Sequence, residues 1–137
     1  MPNQKDRIII DTNLWISFLL TKDFSKFDSI ISNQEIELLF SQELVDEIVE
    51  VTQRSKFRKY FDLEDVETLL EKLKDRGILI KVYSKIKECK DPKDNFLLSL
   101  AVDGYASHLI SGDNDLLLMK KIGATQIISM TEYLSNK

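Results

Sequence analysis

The chain has 137 residues, 43% of them apolar and 31% charged, the size and balance of one globular domain around one core. No apolar run approaches the roughly 20 residues that span a bilayer, so no membrane association is expected. The formal net charge of −4 argues against a broadly basic surface but leaves room for a local basic patch. The start, M-P-N-Q-K-D-R, is polar and runs straight into an apolar segment, unlike a signal peptide. Cys89 is the only cysteine, so no intrachain disulfide can form. Together these features point to the cytoplasm.

In chain order, residues 7–11 (R-I-I-I-D) form an apolar, β-branched run of strand length. Helical stretches follow over 12–20 and about 24–32, then a short strand over 37–40. Ser41 is a helix N-cap, opening a helix to about Gln53 with Leu44, Val45, Ile48, Val49 and Thr52 on its apolar side. Residues 63–76 form a helix between an Asp62 cap and Gly77. A third strand covers 78–83. The turn D-P-K-D at 91–94 leads into a helix over 95–102. Strands over 108–111 and 125–129 enclose a helix over 114–121, and a last helical turn begins near Thr131. Strands separated by helices imply βαβ units. The expected fold is three-layer α/β/α, a single domain with a mostly parallel, roughly five-stranded sheet.

Sites in such sheets form at the carboxyl ends of strands, and two strands here end in acids, Asp11 and Asp113. Each also precedes a helix, where Asp is a common N-cap. On the helix after Ser41, a wheel of about 100° per residue puts Glu47 on the border of the apolar face. Asp46 and Glu50 fall on the opposite side, with Glu43 between. A half-buried Glu47 needs a partner, either a border salt bridge or a bound cation. Asp94 follows D-P-K; if Asp91 serves the turn, Asp94 is free to face the strand-end cleft.

If Asp11, Glu47, Asp94 and Asp113 converge, their mutual repulsion requires protons or cations, since two like charges about 4 Å apart repel by about 4 kcal/mol at an effective dielectric near 20. Oxygen ligands without His or Cys suit one or two Mg²⁺ or Mn²⁺ ions and not zinc. Such a site suits phosphodiester hydrolysis, because metal ions activate water and stabilise the leaving oxygen. His108, the only histidine, lies inside an expected strand and reads as structural, which removes histidine-pair chemistry.

These residues match a known pattern. I-I-I-D-T-N (8–13), S-Q-E-L-V-D-E-I (41–48), D-P-K-D-N (91–95) and H-L-I-S-G-D-N-D-L-L (108–117), in this order, make the chain resemble a PIN domain. The resemblance is to the small toxin-like PIN ribonucleases of prokaryotic toxin–antitoxin pairs, and it covers nearly the whole length. It implies a metal-dependent endoribonuclease with Asp11, Glu47, Asp94 and Asp113 as catalytic and metal-binding acids. It also suggests supporting roles for Thr12, Asn13 and Ser111, with Asp115 and Asp91 as accessory acids. If the chain is a toxin, the resemblance further implies a cognate antitoxin that blocks the cleft, and often a homodimer.

RNA needs a grip beyond metal ions. Arg54, Lys56, Arg58 and Lys59 are interleaved with Phe57, Tyr60 and Phe61, a mix that suits phosphate contact and base stacking. The competing reading makes the aromatics core anchors and the cations a solvated face. Lys22, Lys26, Lys90 and Lys93 are weaker candidates in loops, and Trp15 and Phe18 read as core. A phosphorelay receiver would need an acid pair after the first strand and an acid after the third, and D-T-N and V-Y-S supply neither. A haloacid-type phosphatase would need D-x-D where Asn13 stands. The alternative from another class is a PIN-fold module that binds RNA or protein with little or no cutting.

Overall fold

The computed structural model describes residues 5–136. The first four residues, part of the polar start, lie outside the described residues. The chain forms β1 (Asp6–Ile10), α1 (Thr12–Thr21), α2 (Ser25–Ile31), β2 (Ile36–Phe40), α3 (Gln42–Gln53), α4 (Leu63–Arg76) and β3 (Ile78–Leu79). It continues through α5 (Pro92–Asp103), β4 (His108–Ile110), α6 (Asn114–Met119), β5 (Lys121–Ile122), β6 (Thr125–Ile128) and α7 (Met130–Ser135). The strands make one sheet in the order β3-β2-β1-β4-β6-β5, parallel throughout except for β5, which pairs antiparallel with β6. The architecture is the expected α/β/α arrangement.

The isoleucines of β1 show why helices cover both faces. Ile8, Ile9 and Ile10 are all fully buried, and consecutive strand residues point to opposite faces. Trp15 anchors α1 on the same strand by donating its indole N–H to the Ile10 carbonyl at 2.9 Å. Its ring meets Phe18 and Phe27 edge-on, at 5.9 and 5.1 Å between centroids. At the opposite end of the sheet, the Arg7 guanidinium donates twice to the Gly104 carbonyl just past α5. His108 is structural, as expected: Nδ1 lies 2.8 Å from the Ser107 hydroxyl and the ring meets Tyr133 edge-on.

Three boundaries differ from the sequence reading. The strand expected over 78–83 pairs only at Ile78 and Leu79. Ile80 still donates its N–H to the Phe40 carbonyl of β2 at 2.8 Å, and from Tyr83 onward the backbone finds its partners on α5 instead. The helix expected to reach Lys121 stops at Met119, because Lys120 takes φ 66° and Lys121 enters the β5–β6 hairpin. That hairpin, turning at Gly123 with φ 55°, adds a sixth strand. The helix expected from residue 95 begins at Pro92, where a missing N–H costs nothing in the first turn. Among the described residues no helix is long and apolar enough to cross a membrane.

Gly77 closes α4 into β3, its N–H bonded to the Leu73 carbonyl at 2.7 Å. A Cβ there would lie 2.5 Å from that same carbonyl oxygen and 2.8 Å from the Phe40 ring. Gly77→Ala is therefore expected to lose about 1–3 kcal/mol in urea unfolding at pH 7. An unchanged midpoint would refute this packing account.

Candidate active site

The strand order reverses direction between β1 and β4. From β1 the chain goes to β2 and β3 on one side, then crosses to β4 on the other. Such a switch point opens a crevice at the carboxyl ends of the strands. Asp11 follows β1 directly, and Ser111 and Asp113 follow β4. The pairing continues past the strands, with the Asp11 N–H donating to the Ile110 carbonyl at 2.9 Å.

Both acids cap helices and face the crevice at once. One Asp11 oxygen accepts the Asn13 N–H at 3.2 Å, and the other accepts the Ser111 hydroxyl at 2.8 Å. The Ser111 oxygen in turn accepts the Asp113 N–H at 3.0 Å. One buried hydroxyl thus locks the two acids to each other across the β1–β4 seam. An Asp113 oxygen accepts the Asp115 N–H at 2.8 Å, capping α6. The choice between cap and site is therefore not exclusive, since a carboxylate has two oxygens and several lone pairs.

Glu47 reaches the same crevice from α3. It is half-buried, while Asp46 and Glu50 are exposed, in line with the helical wheel. Thr12 donates its hydroxyl to Glu47 at 3.2 Å, and the Lys93 ammonium pairs with the other oxygen at 3.2 Å. Asp91 caps α5 by accepting the Lys93 N–H at 2.9 Å. That leaves Asp94, one turn in, buried and without a hydrogen-bond donor among the described residues. Asp11, Thr12, Asn13, Glu47, Asp91, Lys93, Asp94, Leu97 and Asp113 line one pocket. Carboxylate oxygens of Asp94, Asp113 and Asp115 lie within 4.8 Å of one another.

The electrostatics follow from that crowding. Burial pushes Asp94 up to about 6, helped by the charges of Asp113, Asp91, Asp11 and Asp115. Burial also raises Asp11, with Asp113 and Glu47 adding to it, although the Ser111 and Asn13 bonds pull the other way. Cys89, close by, is pushed up by burial and then by Asp94, Asp115 and Asp113. It stays a thiol near neutral pH and offers no nucleophile.

A family model described as PIN domain matches residues 7–115, which include all of these acids. The chain belongs to the PIN domain family. None of the curated proteins compared with it matches. PIN domains are in general nucleases and usually work with divalent metal ions, so membership supports a hydrolase kind of activity.

Other sequence candidates sit elsewhere in this PIN domain. Arg54 ends α3 and pairs with Glu50 at 2.8 Å, a helix-surface pair. Arg58 lines a separate cleft with Thr52, Gln53, Phe61, Leu63 and Val66. The Lys56 and Lys59 ammonium groups lie 5.2 Å from the Phe57 and Tyr60 rings. None of these four residues lines the acidic pocket, and Lys22, Lys26 and Lys90 do not line it either. Asp115, ranked as accessory from sequence, has its carboxylate beside Asp94 and Asp113, whereas Asp91 spends one oxygen on its cap. Lys93, only a weaker candidate by sequence, is the cation paired with Glu47. Its one signal was the position between two acids in D-P-K-D.

Asp94 gives a stability test. Its folded pKa, about 6, lies above the model-compound value of 3.8. The folded state therefore holds an extra proton between those values, and stability falls as pH rises through the window. In metal-free buffer at pH 7, Asp94→Asn should stabilise the protein by about 1–2 kcal/mol, less than the whole shift because the carboxyl opens to solvent in the cleft. The gain should shrink as pH falls through 6 and be lost below 3.8, where the carboxyl is protonated in both the folded and unfolded states. Thermal melts across pH 3.5–7.5 would show it, and a gain independent of pH would sink the idea.

Proposed function

We propose that this PIN domain is a divalent-metal-dependent endoribonuclease, the toxin component of a toxin–antitoxin pair. The observation that carries the nuclease reading is the convergence of Asp11, Glu47, Asp94 and Asp113 on one pocket, with Asp94 buried and undonated. Two carboxylates 4.8 Å apart repel by roughly 3–4 kcal/mol at an effective dielectric near 20. A cation relieves that cost, and an all-oxygen donor set fits Mg²⁺ or Mn²⁺. The resemblance to toxin-like members supports the toxin role. An open reading frame next to the gene, encoding a protein that inhibits cutting, would test it.

The residues that would hold one or two ions are Asp11, Asp94, Asp113 and Glu47, with Asp115 beside them. A bound ion would supply a more acidic attacking water and positive charge against the scissile phosphate. The chain's own groups do the positioning. Ser111 fixes the Asp11 oxygen it donates to, and its bond to the Asp113 N–H holds the second acid in register. Thr12 holds Glu47. Lys93 is the resident cation on Glu47 and becomes available for a phosphate oxygen when another cation takes its place.

Cleavage of a mixed-sequence single-stranded RNA should require Mg²⁺ or Mn²⁺ and stop in EDTA. Asp113→Asn should reduce it on the order of 10²-fold or more. RNA bound equally in EDTA and never cut would instead favour a binding module. Lys93→Gln removes the competing ammonium, so Mn²⁺ should bind about two- to fivefold more tightly in calorimetry. Unchanged or weaker Mn²⁺ binding would contradict that role.

A further inference from the structure

Residues 80–90, which link β3 to α5, have no regular secondary structure, yet their exposure alternates as in a strand. Lys81, Tyr83, Lys85 and Lys87 face solvent, while Val82, Ser84 and Ile86 are partly buried. Past Ile80, whose N–H still bonds to Phe40 of β2, the backbone is held by α5. Asp103 accepts the Tyr83 and Ser84 N–H groups at 2.5 and 2.8 Å, and the Ser84 hydroxyl at 2.5 Å. Ser99 accepts the Ile86 N–H at 3.0 Å. Asn95 accepts the Cys89 N–H at 2.7 Å and donates to the Cys89 carbonyl at 2.8 Å. Asn95, Ser99 and Asp103 are spaced four residues apart, one stripe along the helix. This polar ladder pins the strap and fixes which side chains point outward.

The outward face is unusual for this chain. The strap carries Lys81, Lys85, Lys87 and Lys90 against one acid, Glu88, in a protein of net charge −4. Among the described residues, Lys81, Lys85 and Lys87 have no carboxylate partner. Tyr83, between two lysines, is 75% exposed. Gln42, Glu43 and Asp46 of α3 line a groove with residues 79–83, so acids bound the track on that side. Alternate residues of extended chain are about 6–7 Å apart, comparable to successive phosphates of a stretched single strand. The far end of the strap, Cys89, is held by Asn95, the neighbour in sequence of Asp94, which lines the acidic pocket.

We infer that Lys81, Tyr83, Lys85 and Lys87 form a docking track for single-stranded RNA that leads the strand along α5 to the acidic cleft. The lysines take phosphates and Tyr83 stacks on a base. The inference rests on the ribonuclease reading, but it can fail separately from it.

The test is fluorescence anisotropy with a labelled mixed-sequence single-stranded RNA in Mg²⁺, every protein carrying Asp113→Asn so that the RNA stays intact. The triple variant Lys81→Gln/Lys85→Gln/Lys87→Gln should bind about tenfold or more weakly. Its log K against log salt slope should be shallower by about 2, near 0.7 per lost phosphate contact. Tyr83→Leu should weaken binding about tenfold with the slope unchanged, and Lys56→Gln/Arg58→Gln/Lys59→Gln should change little. These side chains point outward, so melting temperatures should match the parent's. An unchanged slope and affinity in the first triple variant, or no RNA binding by the parent, would overturn the track. An equal loss of binding to polyglutamate would mark a general polyanion patch and overturn it as well. Mn²⁺ calorimetry on the chain with Asp113 intact tests the metal reading by itself. Mn²⁺ binding with an unaltered salt slope rejects the track alone.

Discussion

The hydroxyl of Ser111 links the two central strands at the point where the site forms. It donates to Asp11 after β1 and accepts the Asp113 N–H after β4. Because β1 and β4 are hydrogen-bonded neighbours, two acids 102 positions apart in sequence come to one seam. Glu47 and Asp94 then arrive on the helices that follow β2 and the strap. With this lock in place, the cleft needs no loop of its own. Its walls are the first turns of α1, α5 and α6 and one face of α3, all resting on a buried sheet.

The capping of these helices and the acidity of the cleft are two uses of the same side chains. Asp11 and Asp113 each give one oxygen to a cap. Asp91 does the same for α5, which frees Asp94 from capping and leaves it buried without a donor. Carboxylates concentrated in this way destabilise the folded chain when no cation is bound, and Asp94, pushed up to about 6, records that strain. Lys93 on Glu47 offsets part of it. The same crowding that costs stability gives a divalent cation its driving force to bind.

Much of the element order was legible in the sequence because the signals were local. The β-branched run before Asp11, the Ser41 and Asp62 caps and the amphipathic spacing of α3 each depend on residues within a few positions. The misjudged elements were set by distant partners. Residues 80–83 have a strand's alternation, but strand-like pairing ends with the Ile80 N–H on Phe40, and the Tyr83 N–H meets Asp103 on a later helix. Lys121 continues an apolar helical pattern, but pairing with Gln126 draws it into a hairpin. The basic cluster after α3 looked suited to RNA by composition, yet it lies outside the acidic pocket, because its position depends on where α3 ends.

The sequence by itself determined the alternating α/β order, the family pattern of four acids, and the half-buried border position of Glu47. Each is a matter of residue type and short spacing, which the chain carries wherever it folds. Only the tertiary structure decided that Ser111 joins Asp11 to Asp113, that Lys93 sits on Glu47, and that Asp115 brings its carboxylate within 4.8 Å of those of Asp94 and Asp113. It also decided that Asn95, Ser99 and Asp103 hold a lysine-bearing strap. These are contacts between elements that strand order alone makes neighbours, and no local signal in the chain encodes strand order.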